Sequence, residues 1–358
     1  MSNILKPELI WIEGRCYRVN DPTTEVTSLQ EHDLYENEMT ITDLDGDNDD
    51  DENVEITKMD DNRFCTKLHV SKHYFGYLIG KKGAVKFRIE RDTRTEIKIP
   101  KRGQTGDIVI LGSSESNVKA ARRRINIIVM SSRMKQKSTH FISLPMNNSG
   151  IIESFEKFKE RVLKECPNPT LDESLFKRPQ KLHLTLGVMC LTDNEERMLA
   201  SKLLIEAKEN IVMPILNRHK PLKIRLKGLS YMNDDPRQID VLYGLVHEEG
   251  CTTGVIQELG DSLVEHFCKA GFMKREHGRE NIKLHVTFMN SKHRSSTTAE
   301  NSESKERKRR ECFDGSEILS KFSDYDFGVM ELTEIHLSQR HSTGEDGYYQ
   351  PTYVISLN

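Results

Sequence analysis

One five-residue pattern occurs twice in this chain, as Lys181-Leu182-His183-Leu184-Thr185 and as Lys283-Leu284-His285-Val286-Thr287. Polar and aliphatic residues alternate with period two, which is the pattern of a half-buried strand. Each copy is therefore expected as a strand with Lys, His and Thr on one face and aliphatic side chains on the other. Two such rows in one domain form a cleft lined by two imidazoles and two hydroxyls. The shorter pattern His-x-Ser/Thr is unspecific, because it also occurs at His293, His336 and His341. The shared Lys-Leu prefix and the equivalent strand setting single out His183 and His285. His336, in a further predicted strand, is a lesser candidate that with Arg340 would line the same cleft.

The rest of the chain gives this cleft a specific setting. The length of 358 residues suits two ordinary domains, and 36% hydrophobic with 30% charged residues describes a globular chain with polar additions. No apolar run approaches the roughly 20 residues of a membrane span, and the N-terminus lacks a secretory core. The expectation is a soluble, unsecreted protein with no membrane partner. The seven cysteines are scattered and never spaced C-x-x-C. They read as reduced thiols, neither disulfides nor zinc ligands.

Charge is strongly segregated. Residues 1–60 hold 17 acids against 4 bases, and residues 61–137 hold 19 bases against 6 acids, leaving residues 138–358 at net −3. A basic block of domain size is the footprint of a phosphate-backbone binder, since each neutralised phosphate releases counterions. The acidic block, densest over residues 43–52, is expected to be disordered. Ahead of it, two β-prone runs flank Glu13-Gly14 and include Trp11, whose ring either orders on a partner or packs on its own chain.

Within the basic block the spacing predicts strand 64–70, helix 72–79, a turn at 80–83, helix 84–93, strand 96–99, strand 107–112 and helix 114–134. Ser114 is competent to cap the last helix, and Val118, Ala121, Ile125 and Ile128 make its apolar stripe. The turn is Gly80-Lys81-Lys82-Gly83, where missing Cβ atoms let backbone amides approach a phosphate. A bare G-x-x-G is weak, but inside a β-α-α-β-β-α unit it resembles the type I KH domain. That resemblance implies a loop clamping single-stranded RNA, or single-stranded DNA, beside an apolar groove. Gly80, Lys81, Lys82 and Gly83 are then the backbone clamp, and Ile79, Ile89, Ile97 and Ile99 are groove or core residues. Lys86 departs from the family, which usually has an aliphatic residue there; it either strengthens backbone attraction or blocks a base pocket.

Residues 138–358 alternate predicted strands (140–145, 182–189, 222–232, 241–247, 282–289, 329–338, 352–357) with helices near 151–166, 195–211, 254–270 and 316–322. The fold class is α+β. A basic loop at 292–312, with Lys305-Glu-Arg-Lys-Arg-Arg310, breaks the pattern as a nuclear address, an RNA contact or a plain solvated run.

To cleave a phosphodiester without a metal, one imidazole takes a proton from the attacking oxygen and the other gives one to the leaving oxygen. Hydroxyls can bond the nonbridging oxygens as charge shifts. The two rows resemble those of the 2H phosphoesterase superfamily, whose two-lobed members act on RNA ends, cyclic phosphates or 2′-5′ linkages. The resemblance makes His183 and His285 the acid/base pair and Thr185 and Thr287 the phosphate ligands, with no cofactor. A metal hydrolase is disfavoured, because neither row has an acidic or Cys neighbour at ligand spacing.

The order of acidic segment (1–60), KH unit (61–137) and 2H unit (138–358), with Tyr231-Met-Asn-Asp-Asp-Pro236 and Phe313-Asp-Gly315, resembles one subunit family of a transcription coactivator complex. It implies a nuclear protein, a helicase among its partner subunits, and links to coactivation and alkylation-damage repair. Two functions stay open: an RNA-cleaving or RNA-trimming enzyme, and a scaffold whose 2H domain is vestigial or senses a ligand.

Overall fold

A computed structural model describes residues 55–59, 62–101, 103–218, 222–232, 234–250, 254–274, 281–294 and 311–357, with the backbone of two earlier strands. Those strands, β1 (Leu9–Ile12) and β2 (Arg15–Arg18), pair antiparallel with Trp11 opposite Cys16. They belong to a unit of residues 1–55, distinct from that of residues 56–358. The acidic stretch 43–52, the Trp11 side chain and the basic residues 305–310 lie outside the described residues.

The second unit opens with a four-stranded antiparallel sheet. Its strands are β3 (Thr57–Lys58), β4 (Phe64–Leu68), β5 (Thr95–Lys98) and β6 (Ile108–Gly112), in the order β3-β4-β6-β5. Helices α1 (Phe75–Ile79), α2 (Ala84–Thr93) and α3 (Glu115–Met134) cover one face. The β-α-α-β-β-α order with β6 between β4 and β5 is that of a type I KH domain. Leu78, Ile89, Ile97, Ile110, Val118 and Ile125 meet in its core. The Ser114 hydroxyl accepts the Asn117 amide at 3.3 Å and caps α3, a bond of about 1 kcal/mol.

The remaining strands form one eight-stranded sheet: β7 (His140–Pro145), β8 (His183–Met189), β9 (Lys223–Tyr231), β10 (Val241–Glu249), β11 (Val286–Asn290), β12 (Asp326–Glu331), β13 (Glu334–Thr343) and β14 (Tyr349–Ser356). The order is β12-β9-β10-β11-β8-β7-β13-β14. It divides into two four-stranded lobes that meet at β8, which begins with His183, and β11, which follows His285. Helices α4 (Ser149–Glu165), α5 (Asn194–Ala207), α6 (Met213–Leu216), α7 (Val255–Lys269) and α8 (Ser316–Phe322) complete the domain. One π-turn, Lys208–Val212, joins α5 to α6 where a single helix to residue 211 was expected.

The lobes exchange helices. Although α4 follows β7, its Phe155 packs on Phe288 of β11 at 5.1 Å, and its Phe158 packs on Phe327 of β12 at 5.2 Å. In return α7, which follows β10, packs on β8. The strand expected over 329–338 is two strands, β12 and β13. The break falls at Leu332, whose amide still donates to Leu222 at 2.9 Å beside β9, because β13 pairs with β7 and β14 in the other lobe.

The KH domain is keyed to this sheet domain by Arg133 in the last turn of α3. Its guanidinium donates to Glu196 Oε1 at 2.6 Å and to the Gly271 carbonyl at 2.6 Å. It also lies over Phe272 at 4.6 Å and Tyr74 at 5.6 Å. The Arg133 and Glu196 side chains are only 9% and 5% exposed. Breaking such a buried pair leaves one uncompensated charge, the costly case. At the edge of the contact, His69 reaches Asp193 at 3.1 Å.

Candidate active site and RNA-binding loop

At the junction of the lobes Leu184 stands opposite Val286 in an antiparallel register. That register carries His183 opposite Thr287 and Thr185 opposite His285. Leu182, Leu184 and Val286 are buried in the core, while the two histidines and two threonines are half-buried on the other face. The four residues named from the repeat are thus brought together.

The strand setting departs from expectation at one end of each copy. Lys181 ends a 3₁₀ turn, Pro179–Lys181, and residues 282–285 precede β11 rather than belonging to it. The reason lies in the backbone bonds of Ile282. Its amide donates to Asp261 Oδ1 at 2.8 Å and its carbonyl accepts from Gln257 at 3.0 Å, so α7 holds the segment away from a ladder. The same local device appears in both copies. His183 Nδ1 lies 2.7 Å from the Lys181 carbonyl, and His285 Nδ1 lies 2.8 Å from the Lys283 carbonyl. A carbonyl only accepts, so each Nδ1 carries the hydrogen and each neutral ring keeps its lone pair on Nε2.

Aromatic rings hold both imidazoles. His183 lies against Phe141 at 5.0 Å and Tyr349 at 5.2 Å, and His285 lies against Tyr243 at 5.4 Å. The repeat lysines cover those tyrosines alike: Lys181 Nζ is 4.7 Å from the Tyr349 ring and Lys283 Nζ is 4.7 Å from the Tyr243 ring. A cation over a ring face is attracted by its quadrupole. Tyr349, Tyr243 and Phe141 were not singled out from sequence, because their only signal is an aromatic in a strand, which is ordinary for core.

Burial pushes the His183 imidazole down to about 3, with the nearby Lys177 ammonium adding to the effect. His183 is therefore neutral near pH 7 and equipped to accept a proton. Burial also lowers Lys177 to about 8, reinforced by Arg340, while its Nζ donates to the Tyr349 hydroxyl at 2.7 Å. Burial raises Tyr349, with Lys181 and Arg340 opposing. His336, the lesser sequence candidate, is buried and bonded through Nε2 to Glu334 Oε2 at 2.8 Å. Arg340 bonds the Ser138 hydroxyl. Among the described residues no group of three or more His, Cys, Asp or Glu is placed to hold a metal ion.

In the KH domain, Gly80 and Gly83 hold φ of 68° and 83°, and Lys82 between them has φ 53°. A Cβ on Gly80 would sit 2.4 Å from Val85 Cγ2, so the turn needs glycine there. Lys81 and Lys82 are exposed beside it. Ile79 is 39% exposed and available to a ligand, whereas Ile89 and Ile97 are core residues at 3% and 2%, with Ile99 packed against that core. Lys86 pairs with Glu90 at 3.1 Å one turn along α2. The sequence reading passed over Phe87, which exposes 65% of its surface on the first turns of α2.

Comparison with known proteins agrees with this architecture. The family described as "AKAP7 2'5' RNA ligase-like domain" matches residues 138–357, and the KH domain family matches residues 65–127. Among solved structures, the solution structure of the first KH type I domain from human Vigilin is similar over 24% of this chain and 95% of its own, at 22% identity and TM-score 0.20. The mouse protein "Activating signal cointegrator 1 complex subunit 1" (Mus musculus) is 33% identical over 356 residues, covering 97% of both chains. A KH domain followed by a two-histidine domain, matched from end to end at this identity, makes the chain a member of the family of activating signal cointegrator 1 complex subunit 1.

Proposed function

We propose that the chain binds single-stranded RNA through the Gly80–Gly83 loop and cleaves or trims a phosphodiester at the His183–His285 cleft without a metal. The observation that carries the reading is the doubled Nδ1-to-carbonyl bond, which gives both imidazoles the same tautomer across a single antiparallel register. His183, held neutral by burial, takes the proton from the attacking oxygen. His285, entering the step as the imidazolium with a second proton on Nε2, gives that proton to the leaving oxygen, and Thr185 and Thr287 donate to the nonbridging oxygens as charge builds there.

The same reading places the protein in a nuclear complex with a helicase subunit, serving transcriptional coactivation and alkylation-damage repair. Support for membership of a complex comes from the mouse relative, whose name describes a complex subunit. The acidic residues 1–60 are the partner-binding segment in this proposal, and their like charge keeps them off RNA.

The test is incubation of the purified protein with short labelled RNAs and DNAs, with and without chelator. Cleavage of at least one RNA that is unaffected by chelator is expected. RNA that is bound but left whole across the panel would instead assign the protein as a scaffold. Cleavage that needs a divalent ion would overturn the two-histidine mechanism.

A further inference from the structure

Three cations gather around Tyr349, whose ring packs on His183. Lys177 Nζ donates to the Tyr349 hydroxyl at 2.7 Å, Lys181 Nζ donates to Thr343 Oγ1 at 2.6 Å, and Arg340 donates to the Ser138 hydroxyl. All three partners are neutral. Among the described residues none of the three cations forms an ion pair with a carboxylate. Elsewhere on this surface basic residues find acids, as Arg225 does in Glu249 and Asp326. A cluster of like charges that includes a half-buried lysine is unfavourable unless an anion completes it.

Tyr349, at the centre of the cluster, lies beside His183 and not beside His285, whose ring packs on Tyr243. Tyr349 opens β14, the outermost strand on the His183 side, and β7 and β13 lie between β14 and β8. Its ring is 5.2 Å from that of His183, and both lysines lie over it, Lys177 at 5.4 Å and Lys181 at 4.7 Å. His285, in contrast, precedes β11 on the far side of β8. Lys177, whose amide donates to Phe288 of β11 at 2.7 Å, stands near both lobes, whereas Arg340 lies on β13, two strands out from β8, so a phosphate held between His183 and His285 is not the group that Arg340 can neutralise. A second one, displaced outward along the same strand of nucleic acid, is.

We infer that Lys177, Lys181 and Arg340 form a binding site for a second phosphate, so the substrate is an oligonucleotide whose scissile linkage is flanked by another phosphate on the His183 side. The inference rests on the phosphodiesterase reading for the word substrate, and on the cation cluster alone for the site. The second phosphate is either a terminal phosphomonoester or the next backbone phosphate. Both present the same nonbridging oxygens to ammonium and guanidinium donors. Burial without a countercharge holds Lys177 near 8, and an arriving phosphate would supply the missing charge.

Binding separates the inference from catalysis. In the His183→Ala/His285→Ala variant, whose turnover is expected to be too slow to consume ligand during a titration, affinities are compared for an unphosphorylated dinucleotide, the same dinucleotide with a 5′-phosphate, the same with a 3′-phosphate, and a trinucleotide without terminal phosphate. At least one added phosphate should tighten binding by about tenfold, the scale of one or two charge-assisted bonds. The arm that gains shows whether the site takes an end or the backbone. The ratio should collapse toward one when Arg340→Gln is added, an exposed position whose change leaves the core untouched, and again with Lys181→Gln. Equal affinity for all four ligands overturns the inference, as does a gain that survives both substitutions. Neither result bears on whether the wild type cleaves RNA. Conversely, a wild type that cleaves nothing while the phosphate preference persists refutes the phosphodiesterase reading and leaves the site in place.

Discussion

Leu184 of β8 stands opposite Val286 of β11, and this single antiparallel pairing joins the two lobes of the sheet. Because strand side chains alternate, it fixes which polar residues face one another: each histidine stands opposite the threonine of the other copy. A slip of one residue would turn the histidines into the core. The buried apolar residues Leu182, Leu184, Leu186, Val286 and Phe288 hold the register against that slip.

The KH loop is expected to govern RNA affinity. Lys81→Asp/Lys82→Asp reverses two exposed charges beside the turn, so affinity for single-stranded RNA should fall and its dependence on salt should flatten, since fewer counterions are released. Titrations at two or more salt concentrations check this. Unchanged affinity and slope in a variant that keeps its circular dichroism spectrum would remove the loop from the interface.

Arg133 is expected to be a large contributor to stability, since it satisfies Glu196 and the Gly271 carbonyl in a buried contact. Arg133→Met should cost roughly 3–5 kcal/mol, mostly from the carboxylate left unpaired. Arg133→Met/Glu196→Gln should recover part of that loss. Urea denaturation of the three proteins measures both effects, and equal midpoints for all three would contradict the account.

His140 predicts a loss of stability in mild acid. It is 4% exposed, and burial, with Arg197 nearby, lowers it from 6.5 to about 4. The unfolded chain therefore takes up this proton before the folded one does. Stability should fall as pH drops from about 6.5 to about 4, by up to about 1.4 kcal/mol per pH unit for this group, and should not fall further on its account below that. His140→Gln should flatten the decline in denaturation midpoints over this window. A decline of unchanged slope would remove His140 as its source.

Much of this was legible in the sequence, for identifiable reasons. The histidine rows, the Gly80–Gly83 turn and the helices of the KH domain all rest on local periodicity or on glycines that their backbone requires. What could not be read depends on distant parts of the chain. Tyr349 and Lys177 meet through a hydroxyl bond between residues far apart in sequence, and nothing local marks either one. The tautomers depend on backbone that leaves the strand pattern just ahead of each histidine, at the Pro179–Lys181 turn for His183 and at Ile282, bonded to α7, for His285. Lys86 illustrates the opposite limit: its position was read as exceptional, and a helical pairing with Glu90 accounts for its charge.

The central claim is that His183 and His285 act as one acid–base unit, and the dependence of cleavage rate on pH in the presence of chelator tests it most directly. The wild type should show a rise and a fall with pH, because one imidazole must be neutral while the other is charged. Either His→Ala change should lower the rate by roughly 10²–10⁴-fold and remove one limb of the profile. The double change should cost less than the product of the two, and RNA binding through the KH loop should persist in all of them. Cleavage that survives both substitutions with its profile intact, or that vanishes with chelator and returns with a divalent ion, would contradict the claim.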